Sequence, residues 1–444
     1  MESHDKTAAQ PDGMPAGGEC RADGVGLVSH TRRRLMVGGA GGLLALVAQA
    51  LPGHAAWGAT PADAARPGTA SLDPLRRPAP RRSHPERALL TCVARAGKRV
   101  IAAGEAGIVV LSDDHGRTWR QARVPVSVTL TSLSFAAPDT GWAAGNGGVV
   151  LRTDDGGETW SLQLDGRRAA QLALEEARAG TDGAALADSL PKAARQRVAT
   201  AHQWIADGPD KPLLDVHFFN VNDGIAVGAY GMALATRDGG RHWHSIAGRI
   251  ENPGGRHLYR ILATGDALYL AGEQGLILRS GSDVHQARFS ALPSPYAGTF
   301  FDAISMGQHG IVMLGLRGHG FATQDGGATW HPLAVKGVVT LTTGLWLASD
   351  GSPAGQLVIA DEAGQLRHSS DGGMSFQVLA NPEPFPLSDL VASADGALIV
   401  AGARGVRRVV LTGAASVGAA RVDRSRLVAG SHAGTHSAFQ ESHS

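Results

Sequence analysis

The sequence predicts an all-β protein, a seven-bladed β-propeller with Asp-box repeats and a helical insertion between blades 2 and 3. The prediction rests on a recurring octapeptide, a recurring G-x-x-G turn between apolar strands, and a period of about 43 residues, which fits four short strands per blade. The composition agrees with this fold. The 60 glycines among 444 residues, with 43% hydrophobic residues, indicate turn-rich folded β structure rather than a disordered chain.

The octapeptide has the pattern S/T-x-D-x-G-x-T-W, known as the Asp box. Its aspartate accepts backbone N–H bonds inside a tight turn, its glycine permits a positive φ, and its aromatic residue packs between sheets. The motif therefore predicts structural staples and not catalytic residues. The copies supply Asp114, Asp155, Asp238, Asp325 and Asp371, and the aromatic positions Trp119, Trp160, Trp243 and Trp330, with Phe376 in the fifth copy.

The G-x-x-G turn precedes each Asp box and joins two apolar strands. It occurs at residues 104–107, 145–148, 228–231, 272–275, 315–318 and 402–405, with a variant at 361–364. Seven copies predict seven blades, at residues 88–122, 125–164, 211–247, 256–292, 299–335, 338–380 and 384–414. Ring closure is expected to borrow a strand from residues 415–425.

Residues 165–210 differ in character from the repeats. The stretches 167–178 and 192–205 are rich in helix-forming residues and contain neither glycine nor proline, so they predict two helices. This insert follows the outer strand of blade 2. In a four-stranded blade, that connection shares a face with the G-x-x-G turn, so the helices are expected to cap that face or stand beside it.

The chain ends have their own signals. Arg32 and Arg33 precede an apolar run at residues 37–51, which predicts a twin-arginine export signal over residues 1–59 and a periplasmic or exported protein; an uncleaved membrane anchor is the alternative. Residues 60–87 predict an exposed Pro/Arg-rich linker. Residues 415–444 predict a tail that becomes disordered after the possible closing strand. Removal of the signal leaves Cys92 as the single cysteine, which excludes an intramolecular disulfide in the mature chain.

Charge and motif content exclude several functions. Lys and Arg number 41 against 40 Asp and Glu, which argues against nucleic-acid binding driven by net charge. After residue 59 no apolar run is long enough to span a bilayer. The G-x-x-G turns join strand to strand, without the helix N-terminus that holds phosphate, and no cysteine pair is present for metal. We therefore expect no metal and no cofactor.

Taken with the repeats and the seven-blade count, the segment Ile-Ala-Asp-Gly-Pro-Asp-Lys-Pro-Leu-Leu-Asp-Val-His-Phe at residues 205–218 resembles the photosystem II stability and assembly factor-like propellers. The resemblance extends over residues 88–414 and is closer to the bacterial exported branch. It implies a non-catalytic, monomeric scaffold that assists assembly or stability of a membrane protein complex, its partner being that complex or an exporter. It does not carry over a role in photosynthesis.

The family also implies an arginine-rich patch. Here Arg317 and Arg404 fall within G-x-x-G turns, and Arg407 and Arg408 follow the last of them; the alternative is that the latter two are solvated strand positions. The same face is expected to carry Glu105, Tyr230, Glu273 and His319. This mixture predicts a surface that binds protein.

A sialidase-like glycoside hydrolase is the rival hypothesis, and a carbohydrate-binding propeller is a third. Tyr230 with Glu273 or Glu362 would supply a nucleophile pair. However, the (F/Y)-R-I-P segment of sialidases does not precede the first box, and its near match at residues 259–262 lacks the proline. Four of the eight tryptophans lie in boxes, which leaves few to stack on sugars.

Overall fold

The computed structural model describes residues 71–179, 192–307, 310–347, 355–381 and 383–411. In these ranges the chain forms seven antiparallel sheets, six with four strands and one with three. The innermost strand of each sheet packs against that of the next, and blade 7 packs against blade 1. The predicted seven-bladed propeller with a helical insert between blades 2 and 3 is confirmed. The predicted export signal, closing strand and tail lie outside the described residues.

The first three blades contain twelve strands. Blade 1 has β1 Leu90–Ala96, β2 Arg99–Gly104, β3 Val109–Ser112 and β4 Arg120–Gln121. Blade 2 has β5 Leu130–Phe135, β6 Gly141–Gly145, β7 Val149–Thr153 and β8 Ser161–Leu164. Blade 3 has β9 Leu213–Phe218, β10 Gly224–Gly228, β11 Ala233–Thr236 and β12 His244–Ser245.

The remaining blades follow the same order. Blade 4 has β13 Leu258–Ala263, β14 Ala267–Gly272, β15 Ile277–Gly281 and β16 Ser290–Ala291. Blade 5 has β17 Phe300–Ser305, β18 Ile311–Gly315, β19 Gly320–Thr323 and β20 His331–Pro332. Blade 6 has β21 Leu341–Leu347, β22 Gln356–Asp361, β23 Leu366–Ser369 and β24 Gln377–Leu379, and blade 7 has β25 Leu387–Ala392, β26 Leu398–Gly402 and β27 Gly405–Val409.

The order of the strands gives the propeller two different faces. In each blade the turn from the second to the third strand carries the G-x-x-G motif, and we call this side, which also carries the connections between blades, the G-x-x-G face. The turn from the first to the second strand and the Asp box lie on the opposite side, the Asp-box face. A side chain on one face is therefore a blade's length away from the other.

The Asp boxes form the predicted local staples. In the first box the Asp114 carboxylate accepts N–H bonds from Arg117 (3.0 Å) and Thr118 (2.9 Å) and a hydroxyl bond from Thr118 (2.6 Å). These bonds hold the pKa of Asp114 well below its usual range, the Thr118 hydroxyl contributing most. The box tryptophans pack into the apolar layers between blades, as Trp160 and Trp243 do.

A ring of side chains surrounds the central channel, and we call it the inner ring. Every innermost strand carries a β-bulge at its second residue, after which the third residue turns toward the neighbouring blade. In blade order, the third residues are Cys92, Ser132, Asp215, Arg260, Asp302, Thr343 and Asp389.

Three aspartates of the inner ring, on blades 3, 5 and 7, connect blades in pairs. Each accepts the N–H of its own following residue and the N–H of the next blade's inner strand: Asp215 from Ile261 (2.8 Å), Asp302 from Gly344 (3.0 Å) and Asp389 from Val93 (3.0 Å). Innermost strands have no sheet neighbour on the channel side, so these carboxylates satisfy backbone donors that the fold leaves unpaired.

Arg260 offsets part of this negative charge. Its Nε lies 2.9 Å from Asp302 and its Nη1 lies 3.8 Å from Asp215. Burial opposes the charge of the guanidinium, but the carboxylates of Asp302, Asp215 and Asp389 outweigh that effect and raise the pKa of Arg260. The cation is therefore fixed in its charged form at the centre of the molecule.

The insert forms two helices, α1 Gly166–Ala179 and α2 Lys192–Asp207. Ala169 and Trp204 extend the apolar layer between blades 2 and 3. Helix α1 contacts β12 and residues 247–249 at the outer edge of blade 3, and also the G-x-x-G turn of blade 2. The insert therefore stands beside the G-x-x-G face at its rim. None of the helices described is both long enough and apolar enough to span a bilayer.

Residues 71–87 lie along the propeller, whereas the sequence predicts a linker there. Leu75 and Pro85 are buried, the Ala79 N–H donates to the Val124 carbonyl (3.0 Å), and the Ser127 N–H donates to the Pro74 carbonyl (2.8 Å). This segment, which we call the strap, crosses the G-x-x-G turns of blades 1 and 2. Its arginines are exposed, but its backbone is docked on the propeller.

Candidate functional site

The G-x-x-G motif is explained by two separate steric demands. A Cβ on the first glycine would approach the backbone carbonyl before the innermost strand, as at Gly315, where it would lie 2.4 Å from the Thr299 oxygen. The last glycine has a positive φ, for example 74° at Gly318. Both glycines serve the turn, and the two residues between them remain free to vary.

In the turns of blades 1 to 5 the third residue is left-handed even where it is not glycine. Ala106, Tyr230, Gln274 and Arg317 have φ between 52° and 57°, and only blade 2 places a glycine there, Gly147. This conformation costs an L-residue about 1–2 kcal/mol. Strain of this kind is typical of functional positions, and here it projects the side chain onto the G-x-x-G face.

Arg317 and His319 lie exposed at the turn of blade 5. The His319 ring is 4.3 Å from the ring of Tyr296, whose hydroxyl donates to the Leu316 carbonyl (3.3 Å). Burial raises the pKa of Tyr296 against the positive charge of Arg317. This turn presents a cation beside two rings that pack at an angle of 36°, and Tyr296 is a member that the sequence did not single out.

Arg404 and Arg407 belong to blade 7. Arg404 is exposed in the tight turn closed by Gly402 and Gly405. Arg407 is half-buried, donates to the Glu383 carboxylate (2.9 Å), and lies 5.1 Å from the centre of the Phe385 ring. Arg404 is thus available to a partner, while Arg407 is already engaged.

Arg408 does not join the predicted patch. Its side chain points the other way along β27, where it pairs with Asp395 (2.8 Å) and donates to the His115 carbonyl of the first Asp box (3.1 Å). Successive residues of a strand project to opposite sides of the sheet, so Arg407 reaches Glu383 whereas Arg408, near the Asp-box end of β27, reaches Asp395 and the first Asp box. The prediction that Arg408 lies at the G-x-x-G face is wrong.

The two predicted glutamates have structural partners. Glu105 pairs with Arg82 of the strap (3.1 Å). The Glu273 side chain is 14% exposed, accepts the His257 N–H (3.1 Å), and lies 3.5 Å from the His257 ring nitrogen Nδ1. Each carboxylate therefore ties a turn to the chain beside it.

Tyr230 is the exposed aromatic residue of this face. The residue is 51% exposed. Its ring meets the His257 ring edge-on, with the ring centres 4.8 Å apart, and the Lys211 ammonium lies 5.7 Å from the centre of the Tyr230 ring. Lys211 in turn pairs with Asp207 at the end of α2 (2.8 Å). The insert thereby fixes the surroundings of Tyr230, a link that the sequence did not reveal because Lys211 follows the helix in an irregular segment.

The central channel opens on the Asp-box face. On the G-x-x-G side, the bulged residues Leu214, Tyr259 and Phe301 form a buried apolar cluster. On the Asp-box side, a cavity of about 280 Å³ extends to Asp215 and Arg260 of the inner ring, with Arg95 and Trp346 in its wall. The predicted site residues lie outside this cavity.

In the part of the chain that the structure describes, Glu273 and the predicted arginines do not gather around Tyr230 as a glycosidase site would require. Glu273 is used by His257, and the predicted arginines belong to blades 5 and 7 or to the other face. A sialidase site needs an arginine cluster close to the nucleophile pair. Among the residues that the structure describes, no group of three or more His, Cys, Asp or Glu side chains is arranged to hold a metal ion.

Residues 196–376 match the family model described as photosynthesis system II assembly factor YCF48, which bears out the resemblance. No curated protein matches the chain. Solved structures share the fold: "YCF48 bound to D1 peptide" has 16% identity and a TM-score of 0.50, covering 73% of this chain and 94% of that one. The WD40 propeller domain of Doa1 has 11% identity and a TM-score of 0.50, and the match covers 75% of this chain and 95% of that one.

A second assembly-factor structure, YCF48 from Cyanidioschyzon merolae, has 15% identity and a TM-score of 0.49, with coverage of 72% of this chain and 94% of that one. The assembly-factor and WD40 propellers align over similar shares of the chain. The structural likeness therefore reports the propeller fold, and the matched family model is what distinguishes one class of propeller from another.

Proposed function

We propose that this chain, a propeller of the photosystem II assembly factor-like family, is a non-catalytic, exported scaffold that binds a protein partner through its G-x-x-G face and assists a membrane protein complex. The observation that carries the proposal is the set of exposed side chains held in left-handed backbone at Tyr230, Gln274 and Arg317. Folding alone would favour glycine at these positions, so a surface role explains their retention.

The chemistry of this face suits a peptide or protein surface. Arg317 and Arg404 are exposed donors for carboxylates, His319 offers a ring in the same turn as Arg317, and Tyr230 offers an exposed ring on blade 3 of the same face. Mixed cationic and aromatic surfaces of this kind supply the anchoring residues of protein interfaces. The YCF48 structure with a D1 peptide supports peptide binding as a property of a propeller of this family.

The test is affinity capture of the full chain from detergent-solubilised envelope. We expect Arg317→Glu/Arg404→Glu to lose a defined partner that the unmodified chain recovers. The matched control is Arg237→Glu/Arg241→Glu, which makes the same charge change at exposed positions of the Asp-box face. Equal recovery by both double variants would contradict the proposed face.

A catalytic assay addresses the rival directly. The scaffold proposal expects no cleavage of sialosides or other glycosides by the purified chain. Cleavage that is lost in Tyr230→Phe and kept in Arg237→Glu/Arg241→Glu would replace the scaffold with a hydrolase.

A further inference from the structure

The docked strap places a row of arginines on the G-x-x-G face. It carries Arg76, Arg77, Arg81, Arg82 and Arg87 against Asp73 and Glu86. Asp73 pairs with Arg167 of the insert (3.3 Å), and Glu86 lies within 3.8 Å of Arg87. Both acidic residues of the strap are therefore already engaged.

Within the described part of the chain, three of the strap arginines form no ion pair or hydrogen bond with a carboxylate, although Arg76 is close enough to Asp73 to help lower the pKa of that carboxyl. Arg77 donates to the Ser127 hydroxyl (2.9 Å), Arg81 donates to the Gln121 carbonyl (2.9 Å), and Arg76 is exposed. The hydrogen bonds of Arg77 and Arg81 hold the two guanidinium groups at the surface without neutralising them. The strap thus presents fixed, uncompensated positive charge.

Exposed apolar side chains lie on the same face. Leu72 at the start of the strap is 89% exposed, Val338 in the connection between blades 5 and 6 is 76% exposed, and Tyr230 is 51% exposed. Arg317 and Lys336 lie near Val338, because Gly318 contacts the Gly337 backbone. Apolar and cationic groups are thus spread over several blades instead of gathered in one pocket.

The Asp-box face carries carboxylates that are held by local hydrogen bonds. It carries the box carboxylates Asp114, Asp155, Asp238, Asp325 and Asp371. Hydroxyl and backbone N–H bonds lower the pKa of these groups, so they remain charged. This face also carries exposed arginines such as Arg117, Arg237 and Arg241, so its charges are mixed, whereas Arg76, Arg77 and Arg81 of the strap are all of one sign.

We propose that the strap and the G-x-x-G face lie against an anionic lipid bilayer, with Arg76, Arg77 and Arg81 near the headgroups and Leu72 inserted at the interface. A broad surface of unpaired arginines with isolated apolar side chains fits a bilayer, which offers diffuse negative charge over apolar chains. A folded acidic partner would instead favour one concave, shape-matched patch. This inference shares the G-x-x-G face with the protein-binding proposal but rests on the strap residues Leu72, Arg76, Arg77 and Arg81.

The test is co-sedimentation of the full chain with vesicles of phosphatidylcholine alone and with 30% phosphatidylglycerol. We expect binding to the anionic vesicles to exceed binding to neutral ones by more than tenfold and to weaken as salt rises. Arg76→Gln/Arg77→Gln/Arg81→Gln should lower the affinity about 100-fold, since each arginine near an anionic surface contributes about fivefold. Arg117→Gln/Arg237→Gln/Arg241→Gln removes the same charge from the Asp-box face and should change the vesicle affinity less than threefold.

Two further variants keep the result interpretable. Arg76→Gln/Arg77→Gln spares the Arg81 contact with blade 1 and should still lose more than tenfold, and Leu72→Ser should weaken binding without changing its salt dependence. Equal losses in the two triple variants, or no preference for anionic vesicles, would overturn the proposal. Loss of a captured protein by the strap variant with vesicle binding unchanged would also overturn it, in favour of an acidic protein partner.

Discussion

The Asp389 carboxylate on blade 7 accepts the backbone N–H of Val93 on blade 1 at 3.0 Å, joining the first and last blades of the described ring. The same carboxylate accepts the Leu390 N–H at 2.9 Å, and both N–H donors belong to buried residues. Blade 7 has three strands in the described residues, so this contact at the channel is one of the links that close the propeller.

Asp389→Ala is expected to lower the free energy of unfolding by about 3 kcal/mol, because it leaves two buried backbone donors unpaired. Asp389→Asn keeps one carbonyl acceptor, so its free energy of unfolding should lie between those of Asp389→Ala and the unmodified chain. Urea denaturation measures the effect. Asp154→Ala is the control, since Asp154 is exposed and pairs only with Arg152 among the described residues; a midpoint for Asp389→Ala equal to that of the control would refute the closing role.

Removal of Arg260 tests the balance of charge in the inner ring. Arg260→Met leaves Asp215, Asp302 and Asp389 without their cation, and loss of one partner of a buried pair costs about 3–5 kcal/mol. Arg260→Lys should retain part of the stability because the charge remains. The thermal midpoint of each variant is compared with that of Arg279→Met, which alters a more exposed arginine; similar midpoints would mean that Arg260 is dispensable.

The first glycine of the turn motif is expected to be irreplaceable. Gly315→Ala sets a Cβ 2.4 Å from the Thr299 carbonyl oxygen, so either β17 or the turn must move. We expect a loss of more than about 2 kcal/mol. Gly281→Ala has open space around its Cβ and should change stability by less than about 0.5 kcal/mol. The comparison is made by denaturant unfolding, and a small effect at both positions would disprove the steric explanation.

The left-handed turn residues predict a trade-off, in which glycine at such a position raises stability but weakens partner binding. Arg317→Gly relieves a φ of 57° and should raise the free energy of unfolding by about 0.5–1 kcal/mol, while weakening partner capture. Ala106→Gly has a similar φ of 52° and should raise stability to the same extent with binding unchanged, because its methyl group offers no contact. If Arg317→Gly destabilises the fold, the arginine is structural and the functional interpretation of its strain fails.

The Asp boxes predict loss of stability in acid. The Thr118 hydroxyl and N–H lower the folded-state pKa of Asp114 below the unfolded value of about 4. The stability that Asp114 contributes is therefore present above pH 4 and is lost as the pH falls through the lower, folded-state pKa. Asp114→Asn should differ most from the unmodified chain at pH 7, and the difference in stability should shrink progressively as the pH falls below 4. Urea midpoints across this range, with Asp154→Asn as the control, show how the stability difference depends on pH. A difference between Asp114→Asn and the unmodified chain that stays constant with pH would contradict the prediction.

The repeats were sufficient to predict the fold. The spacing of the Asp boxes and G-x-x-G turns gives the blade number, and each motif has a local steric or hydrogen-bonding cause that a single repeat already contains. The helical insert could also be predicted, because residues 167–178 and 192–205 are rich in helix-forming residues, unlike the strands on either side of them. Local chemistry repeated seven times leaves few alternative architectures.

The inner ring and the strap depend on contacts that no local pattern encodes. Asp215, Asp302 and Asp389 recur on alternate blades, but only the bulge at each inner strand shows why a carboxylate is useful there. Arg408 was misplaced because it lies near the Asp-box end of β27, where Asp395 and the His115 carbonyl hold its side chain, and the sequence does not show these partners. The strap has a linker's composition, and its docking through Leu75 and Pro85 becomes visible only in three dimensions.

The central claim is that the G-x-x-G face meets the partner, and site-specific photocrosslinking measures this most directly. A photoreactive phenylalanine replaces Tyr230 on that face or, in the control chain, Met374, which is 79% exposed at the Asp box of blade 6. We predict that position 230 crosslinks to a defined protein in the envelope and that position 374 does not. Crosslinking from position 374 alone would place the partner on the Asp-box face and contradict the account.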